Sequence, residues 1–222
     1  MNNLTLLIPA KKEKESLPKV LNELKNFNYE KLIILQEDDL ETINSIKDHN
    51  PEILFQKNKG YGDALICGIN QCDTEYFCIF NADGSFDPKE IQKMFEKLKN
   101  ENLDFVFASR YQQNSGSEDD TLITLIGNYI FTFLGKVFFK ISITDILYTF
   151  VIGKSNSAKE LGLTQKDFCL CVELPIKASR KKMKSASISS FERSRIAGKK
   201  KVNAFRDGLA ILFYMVKLFF NK

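Results

Sequence analysis

The sequence predicts an α/β protein with a mostly parallel central sheet and helices on both faces. Three observations lead there. Short apolar runs alternate with amphipathic helical stretches through the first half. Each run precedes a helix, which is the order of a parallel sheet covered on both sides. The length of 222 residues suits one such core. In order, "LTLLIP" is a strand, "EKESLPKVLNELKNF" a helix, "KLIILQ" a strand and "DLETINSIKDH" a helix. "EILFQ" is a short strand and "GYGDALICGINQC" a helix; "YFCIFN" is a strand, "DPKEIQKMFEKLKN" a helix opened by Asp87 and Pro88, and "DFVFAS" a strand.

The second half is less regular. "LITLIGNYIFTFLGKVFF" is apolar nearly all round, and Gly127, Asn128 and Gly135 interrupt it. It reads as part of a buried or membrane-facing helix pair, just under the roughly 20 residues of a span. "NAFRDGLAILFYMVKLFFNK" is a strongly hydrophobic helix with Arg206, Lys217 and Lys222 on it. Either a membrane interface or packing on the domain or a second subunit accounts for it. The expected division is a catalytic domain over 1–202 and an interfacial helix over 203–222.

Composition is that of an ordinary globular protein, 44% hydrophobic and 27% charged. "LTLLIPA" is a first strand and not a signal peptide. The five cysteines lack metal-ligand spacing, and the only histidine is His49, so free thiols in a reducing compartment are expected. The net charge of +4 hides an asymmetry: Lys177–Arg206 carries +10 and the remainder −6. Such a basic segment fits phosphates, nucleic acid or an anionic membrane. Nucleic acid is disfavoured, because no aromatic residues are interleaved with the Lys and Arg as stacking platforms.

In a parallel sheet the carboxyl ends of the strands share one edge, where ligands bind. Four ends deliver "PAKKEKE", "QED", "NKGYG" and "NADGS" there. Acidic side chains at adjacent ends point to a metal, a sugar or a base. The glycines of "NKGYG", opening a helix, suit a close-lying anion.

Taken in order, these motifs resemble the inverting glycosyltransferases of the GT-A fold, closest to the dolichyl- and polyprenyl-phosphate sugar synthases. That family's "IPAYNE" stands here as "IPAKKE", "VDDGSxD" as "LQEDDLE", "NxGxGxA" as "NKGYGDA", "DAD" as "NAD" and "GSRY" as "ASRY". Its "G-N…TD…GF" appears as Gly127, Asn128, Thr144, Asp145 and Phe150, and its "R-x-x-G-x-S-K" as "RIAGKKK" from Arg195 to Lys201. The resemblance covers about residues 4–215.

The resemblance implies transfer of a sugar, with inversion, from a nucleotide-diphosphate sugar bound with Mg²⁺ or Mn²⁺. Asp83 is the implied principal metal ligand, with Asn81 and Ser85 beside it. Pro9, Ala10, Glu13, Glu37, Asn58, Gly60, Gly62, Ala82, Lys199 and Lys201 are the implied nucleotide-sugar contacts. Arg110 and Arg195 are placed to stabilise the departing diphosphate, whereas Lys200 reads as surface charge. Asp145 is the family-matched base if the acceptor is a hydroxyl, and Glu173 of "CVELPI" matches an acid near the acceptor.

A polyprenyl phosphate is the expected acceptor, at the cytoplasmic face of a membrane. A phosphate monoester is already ionised near neutral pH and needs no strong base. Family members often carry spanning helices after this domain and this chain ends before any, so peripheral attachment, a membrane-protein partner or a homo-oligomer is expected. A saccharide hydroxyl acceptor is the alternative, and a catalytically weak nucleotide-binding scaffold the third reading, motivated by Asn81 and Gln36 where the family has Asp.

Overall fold

The computed structural model describes residues 3–198 and 200–221. In the first half, β1 (Leu4–Pro9), α1 (Leu17–Glu23), β2 (Glu30–Leu35), α2 (Leu40–Ser45), β3 (Glu52–Phe55), α3 (Tyr61–Gln71), β4 (Tyr76–Ile79), α4 (Lys89–Asn100) and β5 (Phe105–Ser109) follow the apolar pattern. The first helix starts four residues later than the sequence predicts. Ser16 donates to the Glu13 carboxylate at 2.5 Å and Pro18 sits in the helix's first turn, so Glu13–Ser16 form a turn at the ligand edge.

The second half supplies β6 (Gly116–Ser117), α5 (Leu122–Phe139), β7 (Val151–Lys154), α6 (Ser155–Glu160), α7 (Leu170–Arg180), β8 (Ser185–Ser189), β9 (Phe191–Glu192) and α8 (Ala204–Phe220). The main sheet has seven strands in the order β3-β2-β1-β4-β7-β5-β8, and β6 pairs with β9 in a small second sheet. All neighbours in the main sheet are parallel except β7, which runs antiparallel to β4 and to β5. This reversal has a consequence for the site. The residues leading into β7, including Asp145 and Tyr148, arrive at the same edge as the carboxyl ends of β4 and β5.

Alternate strand residues feed two cores, as the pleat requires. Leu4, Leu6 and Ile8 of β1 pack with α1 and α4, through residues such as Val20, Ile91 and Met94. Leu7, Phe77 and Phe105 face the opposite core, with Leu65, Phe139, Leu170 and Ile211. The inner face of α8 therefore belongs to the same core as the sheet, through Ile211, Met215 and Leu218.

The outer faces of α5 and α8 are another matter. Ile126, Tyr129, Ile130, Phe133, Val137 and Phe138 on α5 are exposed, as are Phe205, Leu209, Phe213, Val216 and Phe220 on α8. Phe133 is 63% exposed and Phe213 70%. The two helices run parallel. Phe219 packs edge-on against Phe138 and Phe139 near both carboxyl ends, and both amino-terminal halves line one cavity. By length and composition α5 is long and apolar enough to cross a membrane, yet it lies against the domain with Thr121 capping its start.

Glu173 is a strut rather than an acceptor-side acid. Fully buried on α7, it accepts from the Thr164 backbone and hydroxyl, from the Gln165 amide and from Tyr214 of α8, and pairs with Lys177 at 2.8 Å. Burial works against its charge, but Lys177 and the Gln165 and Thr164 donors prevail and hold its pKa below the ordinary 4.5. A depressed pKa contributes stability that is complete above 4.5 and lost as pH falls through the folded-state value. Glu173→Gln is expected to lower unfolding free energy by about 1.5–3 kcal/mol at neutral pH, the range for hydrogen bonds to a charged group. In urea titrations at several pH values, the gap between variant and parent should narrow below pH 4.5.

Candidate functional site

A cavity of about 610 Å³ lies across the carboxyl edge of the sheet. Pro9, Ala10, Lys11 and Glu13 come from the end of β1, Gln36 from β2, and Gln56 from β3. Asn81, Ala82 and Asp83 follow β4, and Arg110 follows β5. Leu147, Tyr148 and Thr149 lead into β7, and Glu192 and Arg195 follow β8.

The turn after β4 is built from below and clamped from above. Asp83 accepts from the Ser85 amide at 3.0 Å and hydroxyl at 2.8 Å, an Asx-type turn. Gly84 has φ +84°, and a Cβ there would run into Ile196. The segment after β9 fastens itself across the turn, with the Ile196 amide on the Asp83 carbonyl at 2.8 Å and the Arg193 amide on the Ser85 carbonyl at 2.9 Å. Beneath it, Phe86 stacks on Phe150 at 4.5 Å, with Phe80 edge-on to both. The Asp83 carboxylate is thereby fixed on the cavity wall. Ser85 is fully buried and its hydroxyl is committed to Asp83, so it positions that carboxylate.

Among the described residues no group of three His, Cys, Asp or Glu is placed to hold a metal. Asp83 and Asn81 offer a carboxylate and an amide oxygen on the same wall. That set fits Mg²⁺-type binding, in which one or two protein oxygens are completed by substrate phosphates and water. It does not fit an all-protein cage.

Cations gather opposite. Arg195 bonds Asp119 at 2.7 Å and reaches 3.8 Å from Asp83. Lys200 also contacts Asp119, and Lys201 contacts Glu13. The bond to Asp119 outweighs burial and, with Asp83, raises the Arg195 pKa. Burial works against the Asp119 charge, but Arg195 and Lys200 hold its pKa low. Lys200 thus belongs to the site and is not a bystander on the surface. Lys199 lies outside the described residues.

Arg110 is positioned differently from the sequence expectation. Its Nε and Nη2 bond the two oxygens of Asp145 at 2.8 and 3.1 Å, Nη1 bonds Glu192 at 3.1 Å, and Tyr148 lies under the guanidinium at 4.5 Å. Burial opposes the charge, yet Asp145 and Glu192 raise the Arg110 pKa well above its ordinary value. Asp145 has no exposed surface, and Asn128 of α5 donates to it at 2.7 Å. The structure therefore brings Arg110 to the cavity wall and sets Asp145 behind it, buried and off the wall.

The glycines of "NKGYG" serve packing. A Cβ on Gly60 or Gly62 would collide with the Lys166 and Gln165 carbonyls, and the Asp63 amide in the first turn of α3 donates to Lys166 at 3.1 Å. The Gln165–Lys166 backbone thus packs against the amino end of α3 and takes the Asp63 amide. Gly60 still touches the cavity; Gly62 and Asn58 do not, and Asn58 bonds the Asp63 carboxylate. Glu37 is exposed and off the wall, where Gln36 stands. Sequence reasoning missed Lys11, Gln56, Tyr61, Asp119, Asp120 and Glu192 on that wall. Lys11 and Tyr61 sat inside quoted motifs. Glu192 was the lone acid of the basic segment.

A sheet of this order, with a carboxylate turn after its fourth strand and a cavity across the strand ends, defines a glycosyltransferase of the GT-A fold. The family model described as Glycosyl transferase family 2 matches residues 5–162, and the chain belongs to that family. An uncharacterised protein of Methanocaldococcus jannaschii is 24% identical over 150 residues, 65% of this chain and 61% of that relative. The UDP-N-acetylglucosamine–dolichyl-phosphate N-acetylglucosaminyltransferase of Methanococcus voltae is 25% identical over 202 residues, 80% of each chain. Among solved structures, glucosyl-3-phosphoglycerate synthase from Mycobacterium tuberculosis, in complex with Mn²⁺, UDP and glucosyl-3-phosphoglycerate, superimposes with a TM-score of 0.70 at 12% identity. That match covers 96% of this chain and 79% of the synthase.

Removing one partner of a buried ion pair leaves an uncompensated charge and costs about 3–5 kcal/mol. Asp145→Ala is expected near the low end, about 3 kcal/mol, because Glu192 still faces Arg110. Denaturant unfolding of parent and variant measures it.

Proposed function

We propose that the protein transfers a sugar from a nucleotide-diphosphate donor to a polyprenyl phosphate, with inversion, at the cytoplasmic face of a membrane. One observation carries this reading. The cavity that holds Asp83 is walled by the same two helices whose outer faces are exposed and apolar. The name of the Methanococcus voltae relative supports the acceptor class.

The donor's diphosphate lies between Asp83 and the cations of the segment after β9. Mg²⁺ or Mn²⁺, held by Asp83 and Asn81, would supply further positive charge at the diphosphate when bound. Arg195 stays anchored to Asp119 while it faces the departing diphosphate, and Lys201 and Lys11 stand beside it. Pro9, Ala10, Glu13, Gln36 and Gly60 line the side taken by the nucleoside. Arg110, held by Asp145 and Glu192, shapes the acceptor side. The buried Asp145 favours a phosphate acceptor, whose nucleophilic oxygen needs no base. Asp120, on the wall beside Tyr111 and Thr124, is the carboxylate that a hydroxyl acceptor would use instead.

In this reading α8 has two roles, split by face. Its inner side completes the catalytic domain, and its outer side, from residue 203 onward, joins α5 in the lipid headgroup region. Phe133→Asp and Phe213→Asp are each expected to weaken binding to anionic vesicles by at least about tenfold, since burying a Phe is worth roughly 1.5–3 kcal/mol. Binding of the parent should also fall as salt screens the lysines and arginines. Indifference of the parent to vesicles at low salt would remove the membrane assignment.

Transfer itself tests the rest. A thermal-shift screen of nucleotide sugars with Mn²⁺ identifies the donor, because a ligand of the folded state raises Tm. That donor is then offered with a polyprenyl phosphate and with the corresponding alcohol. The expected result is glycosylation of the phosphate alone. Asp83→Ala should abolish transfer and the Mn²⁺-dependent part of the Tm shift without loss of fold. Transfer to a saccharide only would overturn the acceptor and leave the family unchanged.

A further inference from the structure

We propose that the convergent carboxyl ends of α5, α7 and α8 form a docking surface for the anionic phosphate headgroups of a lipid membrane, separate from the cations that face the reaction site. The inference rests on the membrane reading and adds which residues meet the headgroups and at which end of the molecule. Three sets of contacts bring the helix ends together. Ser179, near the end of α7, donates to the Phe139 and Lys140 carbonyls at the end of α5, at 2.9 and 3.3 Å. Arg180 donates to the Leu218 and Asn221 carbonyls that close α8. Phe219 of α8 packs edge-on against Phe138 and Phe139.

Cations crowd this end. Lys136, Lys140, Arg180, Lys181, Lys182 and Lys217 are all exposed. Among the described residues, none of the six has a carboxylate within ion-pair distance. Two of them hold an unusual backbone. Lys140 closes α5 at φ 56°, and Lys182 follows the end of α7 at φ 58°. Glycine and asparagine take this left-handed conformation readily, and other side chains are strained by it. Elsewhere among the described residues, three of the four non-glycine residues with such an angle are asparagine. A helix dipole accounts for a cation in a last turn, but its benefit is smaller than the left-handed penalty. Lysine at both positions points to an anion outside the chain.

The apolar side chains beside these cations decide which anion fits. Val137, Phe138, Val216, Phe219 and Phe220, in the last turns of α5 and α8, are exposed. A polyanion such as nucleic acid would pair the cations and leave these side chains in water. A lipid surface offers phosphates at one depth and hydrocarbon just below. The cluster also stands apart from the reaction site. α5 has 18 residues, about 27 Å of helix, and its amino-terminal half lines the cavity. Lys140 is thus at the far end of α5 from Arg195, Lys200 and Lys201, which line the cavity with Asp83. The basic segment of the sequence divides into two sets, one facing the diphosphate and one facing headgroups.

The test replaces Lys140 and Lys182 together by asparagine, which suits the left-handed backbone, so Tm should not fall. A control replaces Lys25 and Lys93 by glutamine. Both are exposed on the opposite face of the sheet, with α1 and α4, and the change in net charge is the same. Binding is measured by co-sedimentation with vesicles of phosphatidylcholine alone and of phosphatidylcholine mixed with phosphatidylglycerol. The Lys140→Asn, Lys182→Asn protein is expected to bind the mixed vesicles at least about tenfold more weakly than the parent, the loss for two cations near an anionic surface. Its binding to phosphatidylcholine alone should be unchanged, and the control should lose much less on either. Undiminished binding to the mixed vesicles, or an equal loss in the control, would overturn the docking surface while the membrane reading stands. A parent that binds neither vesicle would overturn the membrane reading and the surface with it.

Discussion

The buried contact of Arg110 with Asp145 and Glu192 joins the parts of this molecule that sequence leaves far apart. Arg110 follows β5, Asp145 precedes β7 and Glu192 lies in β9, while Asn128 of α5 donates to the Asp145 carboxylate. One cation thus registers a strand end, an irregular segment, a small second sheet and the long apolar helix. Ion pairs this deep are seldom a net gain over apolar packing, because both charges lose their water. Their use is geometric. A guanidinium offers donors in a fixed fork, so its partners are set in direction as well as distance.

That registration divides labour along the strand ends. The half around Asp83 is held by an Asx turn, by aromatic rings below and by the Ile196 segment above. The half around Arg110 is shaped by α5, which is anchored through Asn128 and turns its other apolar residues outward. The two halves meet at Arg195, which touches Asp119 from one and Asp83 from the other.

Much of this was legible in the residues. The first five strands are apolar runs with helices between them, and that their carboxyl ends share one edge follows from the alternation alone. Other parts were hidden for physical reasons. "SASIS" carries little apolar signal of a strand because β8 is an edge strand that needs little apolar surface. "VIGK" is too short to announce an antiparallel strand wedged between parallel ones. The glycines of "NKGYG" pointed to a ligand because glycine signals close approach without naming what approaches; here it is the backbone of Gln165 and Lys166, a hundred residues on. Asp145 looked available as a base because burial is not written in a motif. The antiparallel course of β7 brings it to the edge where Arg110 bonds it.

The parallel course of α5 and α8 has an electrical meaning. Each peptide dipole points along its helix, so two long helices side by side in one direction repel slightly along their length. The far ends are compensated locally: Arg180 donates to the Leu218 and Asn221 carbonyls closing α8 and lies over Phe139 at the end of α5. At the near ends the partial positive charges of both helices converge beside the cavity, where carboxylates face them: Asp120 accepts from Thr124 in the first turn of α5, and Asp207 lies in the first turn of α8. The pair that turns apolar flanks outward thus aims its amino-terminal poles at carboxylates on the cavity wall, and amphipathic character runs along the helix axes as well as around them.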